Sequence, residues 1–550
     1  MTGAPDGRAL PGLMMDEYPL TLGSILARAE RLFPSVRVAS RGPDRSVRAT
    51  DYASVARKAR RLATALLEEG VRPGDRVATL MWNHSAHLEA YLGVPSAGAV
   101  LHTLNLRLPV DDLAYVIQHA HDRWILVDDV LLPVLEKVRD RVHPDRVLVV
   151  PFSGGKVPSG ADDYEEFLSH YAPRDPLPSV GERDAAGLCY TSGTTGRPKG
   201  ILYSHRSVVL HSLAEAVGLG LAQADAVMPV VPMFHVNAWG FPYTLAMLGA
   251  RPVLPGPHLD PESLIDLMER EKVTFAAGVP SIWFGMLEAL ERNPGRWKLS
   301  PDLRMVIGGA AVPEAMIRRF DRLGIQVVQG YGLTETSPVL TLSIPKAEMR
   351  EWDPERLYPV RARAGLALPF VDLRIRGEDG ELPWDGKSVG ELEARGPWVA
   401  RSYFDEPEQP GKWTEDGWFR TGDVATIDPE GFVAIVDRVK DLVKSGGEWI
   451  SSVALENALV GHPAVREATI VARPDPKWGE RPIAFVVFKE GAHATDEELR
   501  NFLAERFPKW WLPDEYRAVP SLPKTSTGKV SKRTLRAELA TPRDTSSSKP

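Results

Sequence analysis

Short apolar runs alternate with longer amphipathic stretches through most of the chain before its last third, and this alternation restricts the fold more than any other feature. Arg76-Val77-Ala78-Thr79-Leu80 follows a Pro-Gly-Asp turn and reads as a strand. Tyr52 to Glu69, just before it, carries apolar residues at three- and four-residue spacing and reads as a helix. Further short strands are predicted at Trp124 to Val127, Arg146 to Val150, Val273 to Ala277, Arg304 to Ile307 and Gln326 to Val328. Helices are predicted at Ser281 to Glu291 and Pro313 to Leu323, with Pro313 in the first turn. Strands alternating with helices imply α/β architecture on largely parallel sheets.

After about Pro369 the pattern changes. Val371 to Arg376, Gly390 to Ala394 and Gly431 to Val436 form β-rich segments broken by Gly, Pro and Asp turns. From about Lys440 helices (Ser452 to Leu459, Asp496 to Arg506) mix with strands (Ala468 to Val471, Ile483 to Val487). The expected fold class is therefore α/β. A large N-terminal domain, 1–439, has parallel-rich sheets plus a β-rich subdomain, and a small α+β C-terminal domain spans 440–550.

Lys plus Arg number 66 and Asp plus Glu 73, a formal net charge of −7 with no basic cluster, which argues against a nucleic-acid partner. The single cysteine, Cys189, excludes an intrachain disulfide and a Cys-based zinc site, and suits a reducing compartment. Lying in an apolar strand, it reads as a small buried hydrophobe without a catalytic role. No run of ~18 apolar residues predicts a membrane span, so a cytoplasmic protein without integral membrane association is expected. Trp510-Trp511 is expected to serve core or interdomain packing.

The strongest local signal is Tyr190-Thr191-Ser192-Gly193-Thr194-Thr195-Gly196-Arg197-Pro198-Lys199-Gly200, directly after the apolar strand Ala186 to Cys189. Its glycines let successive N–H groups turn inward, its hydroxyls supplement them, and Lys199 adds a cation, a combination suited to cradling a polyphosphate. Lys199 is followed by Gly200, so this is not the P-loop of nucleoside triphosphatases.

This segment resembles the phosphate-binding loop of the adenylate-forming superfamily, which includes acyl-CoA synthetases, luciferases and peptide-synthetase adenylation domains. Other segments follow in that family's order. Gln329-Gly330-Tyr331-Gly332-Leu333-Thr334-Glu335-Thr336 is similar to its aromatic–Gly–x–Thr–Glu segment, and Thr421-Gly422-Asp423 to its ribose-binding turn. Asp437-Arg438-Val439-Lys440-Asp441 resembles the hinge, and Lys524-Thr525-Ser526-Thr527-Gly528-Lys529 the catalytic-lysine loop. Pro232-Met233-Phe234-His235-Val236-Asn237-Ala238-Trp239 resembles the gate segment of bacterial long-chain fatty-acyl-CoA synthetases. Lys444-Ser445-Gly446-Gly447-Glu448-Trp449-Ile450-Ser451 is similar to their CoA-side loop, and Met14-Met15-Asp16-Glu17 is also similar to that group.

The resemblance implies two half-reactions. A carboxylate attacks the α-phosphorus of ATP, giving acyl-adenylate and pyrophosphate, and the thiol of CoA then displaces AMP. Two anions meet in the first step, so neutralisation and alignment matter more than acid–base chemistry. Lys529 is implied as the central electrostatic residue, Thr334 as a partner of the α-phosphate or acyl carboxylate, and Glu335 with Thr191 as Mg²⁺ ligands. Thr191, Ser192, Gly193, Thr194, Thr195 and Lys199 would hold phosphates. Gln329, Gly330, Tyr331 and Gly332, facing the small wall Gly309-Ala310-Ala311, would hold adenine, and Asp423 and Arg438 the ribose. Lys440 is implied as the hinge of a mobile C-terminal domain that presents either Lys529 to the adenylate or Lys444, Gly446, Gly447, Glu448 and Trp449 to CoA. His235 reads either as an acyl-carbonyl neighbour or as a packed side chain, and Trp239 as a gate over an acyl tunnel. Burial there contributes ~0.8 kcal/mol per methylene.

The expected activity is ATP- and Mg²⁺-dependent conversion of a medium- or long-chain fatty acid to acyl-CoA, by a homodimer. Alternatives are a ligase for an aromatic acid, a nitrite-activating diazotase, and a non-catalytic acyl- or nucleotide-binding homologue. Against the last, Lys529, Glu335, Asp423 and the Thr191–Gly200 loop are all present. Trp283 and Phe284 could shorten the tunnel or favour aromatic substrates if their rings project inward.

Overall fold

A computed structural model describes residues 18–191, 197–406, 409–446, 448–524 and 530–540. The apolar runs pair into four sheets. In the first, strands Asp122–Asp128, Arg76–Leu80, Val100–Thr103 and Ala185–Tyr190 lie side by side in parallel, and Gly200–Ser204 closes the edge antiparallel to Ala185–Tyr190. The second runs in parallel from Gln326–Gly332 through Arg304–Ile307, Phe275–Gly278, Ala226–Pro229 and Arg251–Leu254 to Arg37–Arg41, with antiparallel strands at both edges. Helix Tyr52–Glu68 buries its apolar stripe against both neighbouring helices, and its N-cap Asp51 accepts the Ser54 N–H at 2.8 Å, a cap that contributes about 1 kcal/mol.

A third, antiparallel sheet comprises Asp372–Gly377, Gly390–Arg395, Phe419–Ile427 and Val433–Arg438, with the short strand Gly380–Glu381 at its edge. It ends at Arg438, and the next strand, Val443–Ser445, already belongs to a fourth sheet with Val465–Asp475, Gly479–Phe488 and Glu515–Ala518. The fourth sheet has its own core around Val443, Leu455, Ile470 and Val486. Two hydrogen bonds tie it back to the third sheet. The Ser451 hydroxyl donates to the Val436 carbonyl, and the Ser452 N–H donates to Asp437 Oδ2 at 2.6 Å. The last helix, Lys532–Ala540, adds Lys532 Nζ to Glu456 at 2.8 Å and Arg536 to Asp441 at 2.7 Å. Among the described residues no helix is long and apolar enough to cross a membrane.

Several boundaries move for identifiable reasons. Pro313 is the N-cap of helix Glu314–Arg322 instead of a first-turn residue, because its ψ of 137° is still extended. The strand predicted from Val273 begins at Phe275, since the Val273 N–H closes the preceding helix on Met268. Gln326–Val328 continues to Gly332, where Gly330 and Tyr331 pair with the edge strand Val339–Leu342. Trp510 is not core: it is 43% exposed, and only Trp511 stacks, on Phe507 at 5.5 Å. Cys189 is buried.

Candidate active site

The C-terminal ends of strands of the second sheet, the end of the third sheet and the elements around the fourth sheet converge on a cavity of about 540 Å³. Its walls include Gly309, Ala310, Ala311, Gln329, Gly330, Tyr331 and Gly332 from one side and Asp423, Arg438 and Lys440 from the other. The antiparallel register sets Asp423 opposite Arg438, and Arg438 Nε lies 3.2 Å from Asp423 Oδ1. Tyr331 Oη donates to Asp423 Oδ2 at 2.6 Å. Burial and the adjoining Asp423 carboxylate push the Tyr331 phenol well above its usual range, so it stays a donor. Gln329 stands behind them, its Oε1 accepting the Val312 N–H at 3.2 Å. Lys524 and Val530, which flank the segment that resembles a catalytic-lysine loop, line the same cavity, whereas Lys529 itself lies outside the described residues.

Next to this nucleotide-sized space, Thr334 and Glu335 sit in a short helical turn after strand Gln326–Gly332. Tyr203 Oη donates to the Thr334 carbonyl at 2.8 Å, and Tyr403 Oη to Glu335 Oε1 at 2.9 Å. Among the described residues the other oxygen of the buried Glu335 takes no hydrogen bond, which suits a hard cation that completes its shell with hydroxyl and phosphate oxygens. No cluster of three or more His, Cys, Asp or Glu among the described residues forms an all-protein metal cage. Thr191 closes the base of the Gly-rich loop: its N–H donates to the Lys199 carbonyl at 2.9 Å, and its hydroxyl accepts the Lys199 N–H at 3.1 Å. Lys199 Nζ reaches Gln409 and lies 4.6 Å over the Tyr403 ring. Ser192, Gly193, Thr194 and Thr195 lie outside the described residues.

A second, apolar cavity of about 50 Å³ adjoins Thr334 and Tyr331 and is lined by His235, Trp239, Val306, Gly308 and Val339. Gly308 allows close approach: a Cβ there would lie 3.1 Å from both the Trp239 ring and the Gly330 carbonyl. His235 also borders a small recess containing Thr191 and His102, which places it between loop base and apolar cavity. Trp283 is fully buried away from both spaces, against Gly278, while Phe284 lines the large cavity. Lys444, Gly446, Glu448 and Trp449 are not brought into the large cavity. Lys444 Nζ stacks 4.7 Å over an exposed Trp449, and Gly446 packs on Trp478. Gly447 lies outside the described residues.

Two residues without a motif also belong here. Lys412 is desolvated, which lowers its pKa, and it feels Glu335 and Asp423. Tyr403 orients Glu335. No spacing rule marks either, because both come from the irregular stretch between the second and third strands of the antiparallel sheet.

Residues 28–404 match the family of AMP-binding enzymes, and 454–529 match the AMP-binding enzyme C-terminal domain. The chain is 49% identical to a long-chain-fatty-acid–CoA ligase of Thermus thermophilus over 96% of this chain and 97% of the relative. It is 44% identical to a 3-methylmercaptopropionyl-CoA ligase of Ruegeria pomeroyi over 96% of this chain and 98% of that one. The ATP-bound MatB structure from Rhodopseudomonas palustris superposes with a TM-score of 0.80 at 26% identity, covering 94% of this chain and 98% of that chain.

Proposed function

We infer the reaction from one premise: the chain belongs to the AMP-binding enzyme family. It is an acyl-CoA synthetase that activates a carboxylic acid with ATP through an acyl-adenylate and passes the acyl group to CoA. We propose that the acid is a medium- or long-chain fatty acid. The observation that carries this is the apolar cavity bordered by His235 and Trp239, which meets the nucleotide space along Gly330, Tyr331 and Gly332. The relative named for long-chain fatty acids supports the same reading.

In this reading Asp423, with Tyr331 and Arg438 on its two oxygens, presents a fixed acceptor to the ribose hydroxyls. Tyr331 and the Gly309–Ala311 wall flank the adenine. Glu335 and Thr191 would hold Mg²⁺, which when bound neutralises phosphate charge. Lys529 approaches the carboxylate and α-phosphate from the loop bounded by Lys524 and Val530. Residues 440–550 turn about Lys440 after adenylation and bring Lys444 to Trp449 toward CoA. The same reading makes the protein a cytoplasmic homodimer.

A shorter acid is a second reading. The cavity of about 50 Å³ is small for a long chain, and one relative is named for 3-methylmercaptopropionate. Pyrophosphate release over a series of alkanoic acids, aromatic acids and nitrite, with and without CoA, tests both. Release peaking at medium or long alkanoates with acyl-CoA formation is expected. Turnover confined to aromatic acids or nitrite would discard the aliphatic assignment.

A further inference from the structure

Helix His205–Leu219 packs its inner face against strand Val339–Leu342 and helix Phe241–Leu248. That face carries His211, Ser212 and Glu215, none more than 1% exposed. Buried polar atoms are ordinarily bonded, and a bare one costs stability. Thr244 Oγ1 donates to Glu215 Oε2 at 2.6 Å, but Glu215 Oε1 and Ser212 Oγ have no hydrogen-bond partner among the described residues. His211 Nε2 accepts the Val339 N–H at 3.2 Å, which leaves its proton on Nδ1.

This polar face abuts the acyl end of the site. Val339, held by His211, lines the apolar cavity together with Trp239. Gly240 follows Trp239 directly, and a Cβ there would lie 2.9 Å from His211 Nδ1 and 3.3 Å from Glu215 Oε2. The missing side chain leaves both polar groups against the turn that carries Trp239. That turn is itself unusual, with Val236, Asn237, Ala238 and Trp239 all left-handed at φ of 45°, 51°, 48° and 59°. Such backbone is held at an energetic cost and concentrates at ligand sites.

We propose that Glu215 is a specificity-determining residue whose bare Oε1 hydrogen-bonds an oxygen carried along the chain of the acid. The enzyme then selects hydroxy- or keto-substituted aliphatic acids over plain alkanoates of equal length. This deepens the assignment of His235 and Trp239 to the acyl end and rests on it. Burial pushes the Glu215 carboxyl up to about 8, so near neutrality it is an uncharged acid able to donate to such an oxygen. An alkyl chain offers Oε1 nothing, and a site built around a hydrogen bond discriminates strongly against the analogue that lacks it.

The test measures pyrophosphate release by the full chain with hydroxyalkanoates, the hydroxyl moved one carbon at a time from C3 to C10. Each is paired with the alkanoate of equal heavy-atom count. The wild type is expected to favour the hydroxy acid in kcat/KM by about tenfold or more at one position, and Glu215→Leu to lose that preference while still turning over alkanoates. Thr244→Val, which removes only the carboxyl's support, should shrink the preference if Glu215→Leu does not fold. A flat wild-type profile, or a peak unchanged in both variants, overturns the proposal and leaves the aliphatic assignment standing. Absence of turnover with every aliphatic acid overturns both.

Discussion

At the end proposed for the nucleotide, both oxygens of Asp423 are engaged, one by Tyr331 and the other by Arg438, whereas at the end proposed for the acid Thr244 holds one oxygen of Glu215 and the other has no partner among the described residues. Both carboxylates are almost wholly buried. The nucleotide is the same in every turnover, so its partners can be fully paired and oriented before it arrives, which is the arrangement that lowers reorganisation during reaction. The acid is what distinguishes one ligase from another, and that end keeps an unfilled hydrogen bond and a left-handed turn instead of a closed network.

The largest expected effect lies where the two ends meet. Lys529→Ala should slow acyl-adenylate formation by about 10³-fold, while CoA thioester formation from supplied acyl-adenylate survives. Rapid-quench measurement of each half-reaction checks this, and equal losses would remove Lys529 from the first step. Lys440→Pro should do the reverse, sparing pyrophosphate release and impairing thioester formation. Asp423→Ala strips Tyr331 and Arg438 of their shared partner, and should raise KM for ATP by roughly 10- to 100-fold with KM for the acid unmoved. A parallel rise in both constants would break the separation of the two ends. Lys412→Met should weaken ATP binding more modestly, by about fivefold in KM, because its ammonium is screened by partial exposure.

A separate effect concerns stability. Glu215 has a folded-state value of about 8 against an ordinary 4.5, so its contribution is complete below about pH 4.5 and is lost as pH rises through 8. Glu215→Gln cannot ionise. Relative to wild type it should therefore gain stability between pH 6 and pH 8 in urea unfolding, and a constant difference would show that the folded carboxyl is already ionised at pH 6. Glu89, similarly raised to about 8, is common to both proteins and cancels.

Strands Arg76–Leu80, Arg146–Val150 and Arg304–Ile307 are legible in the sequence because each is a β-branched or apolar run bounded by turn residues. The nucleotide end is legible too, since Tyr331, Asp423 and Arg438 stand in recognisable segments. What escaped depends on tertiary placement. Gly330 and Tyr331 extend a strand only because Thr341 and Leu342 come alongside to pair with them. Lys412 sits in irregular chain. Glu215, in a mostly apolar helix, has no periodicity that separates it from a packed polar residue, and its meaning comes from Gly240, far along the chain.

The two hydrogen bonds from Ser451 and Ser452 to Val436 and Asp437 cross the point about which the small domain would turn. One is ordinary and the other has a carboxylate acceptor, so together they hold this orientation by ~2–4 kcal/mol. Without ligands, the turned orientation would then be occupied by between about one in thirty and one in a thousand molecules. At that occupancy, on the proposed two-orientation reading, most molecules would stand ready for ATP and the acid, and few would present the CoA face before there is an adenylate to consume. If the small domain turns as proposed, the Ser451 hydroxyl and the Ser452 N–H would bias the order of the two steps as a waiting time, with no separate lock required.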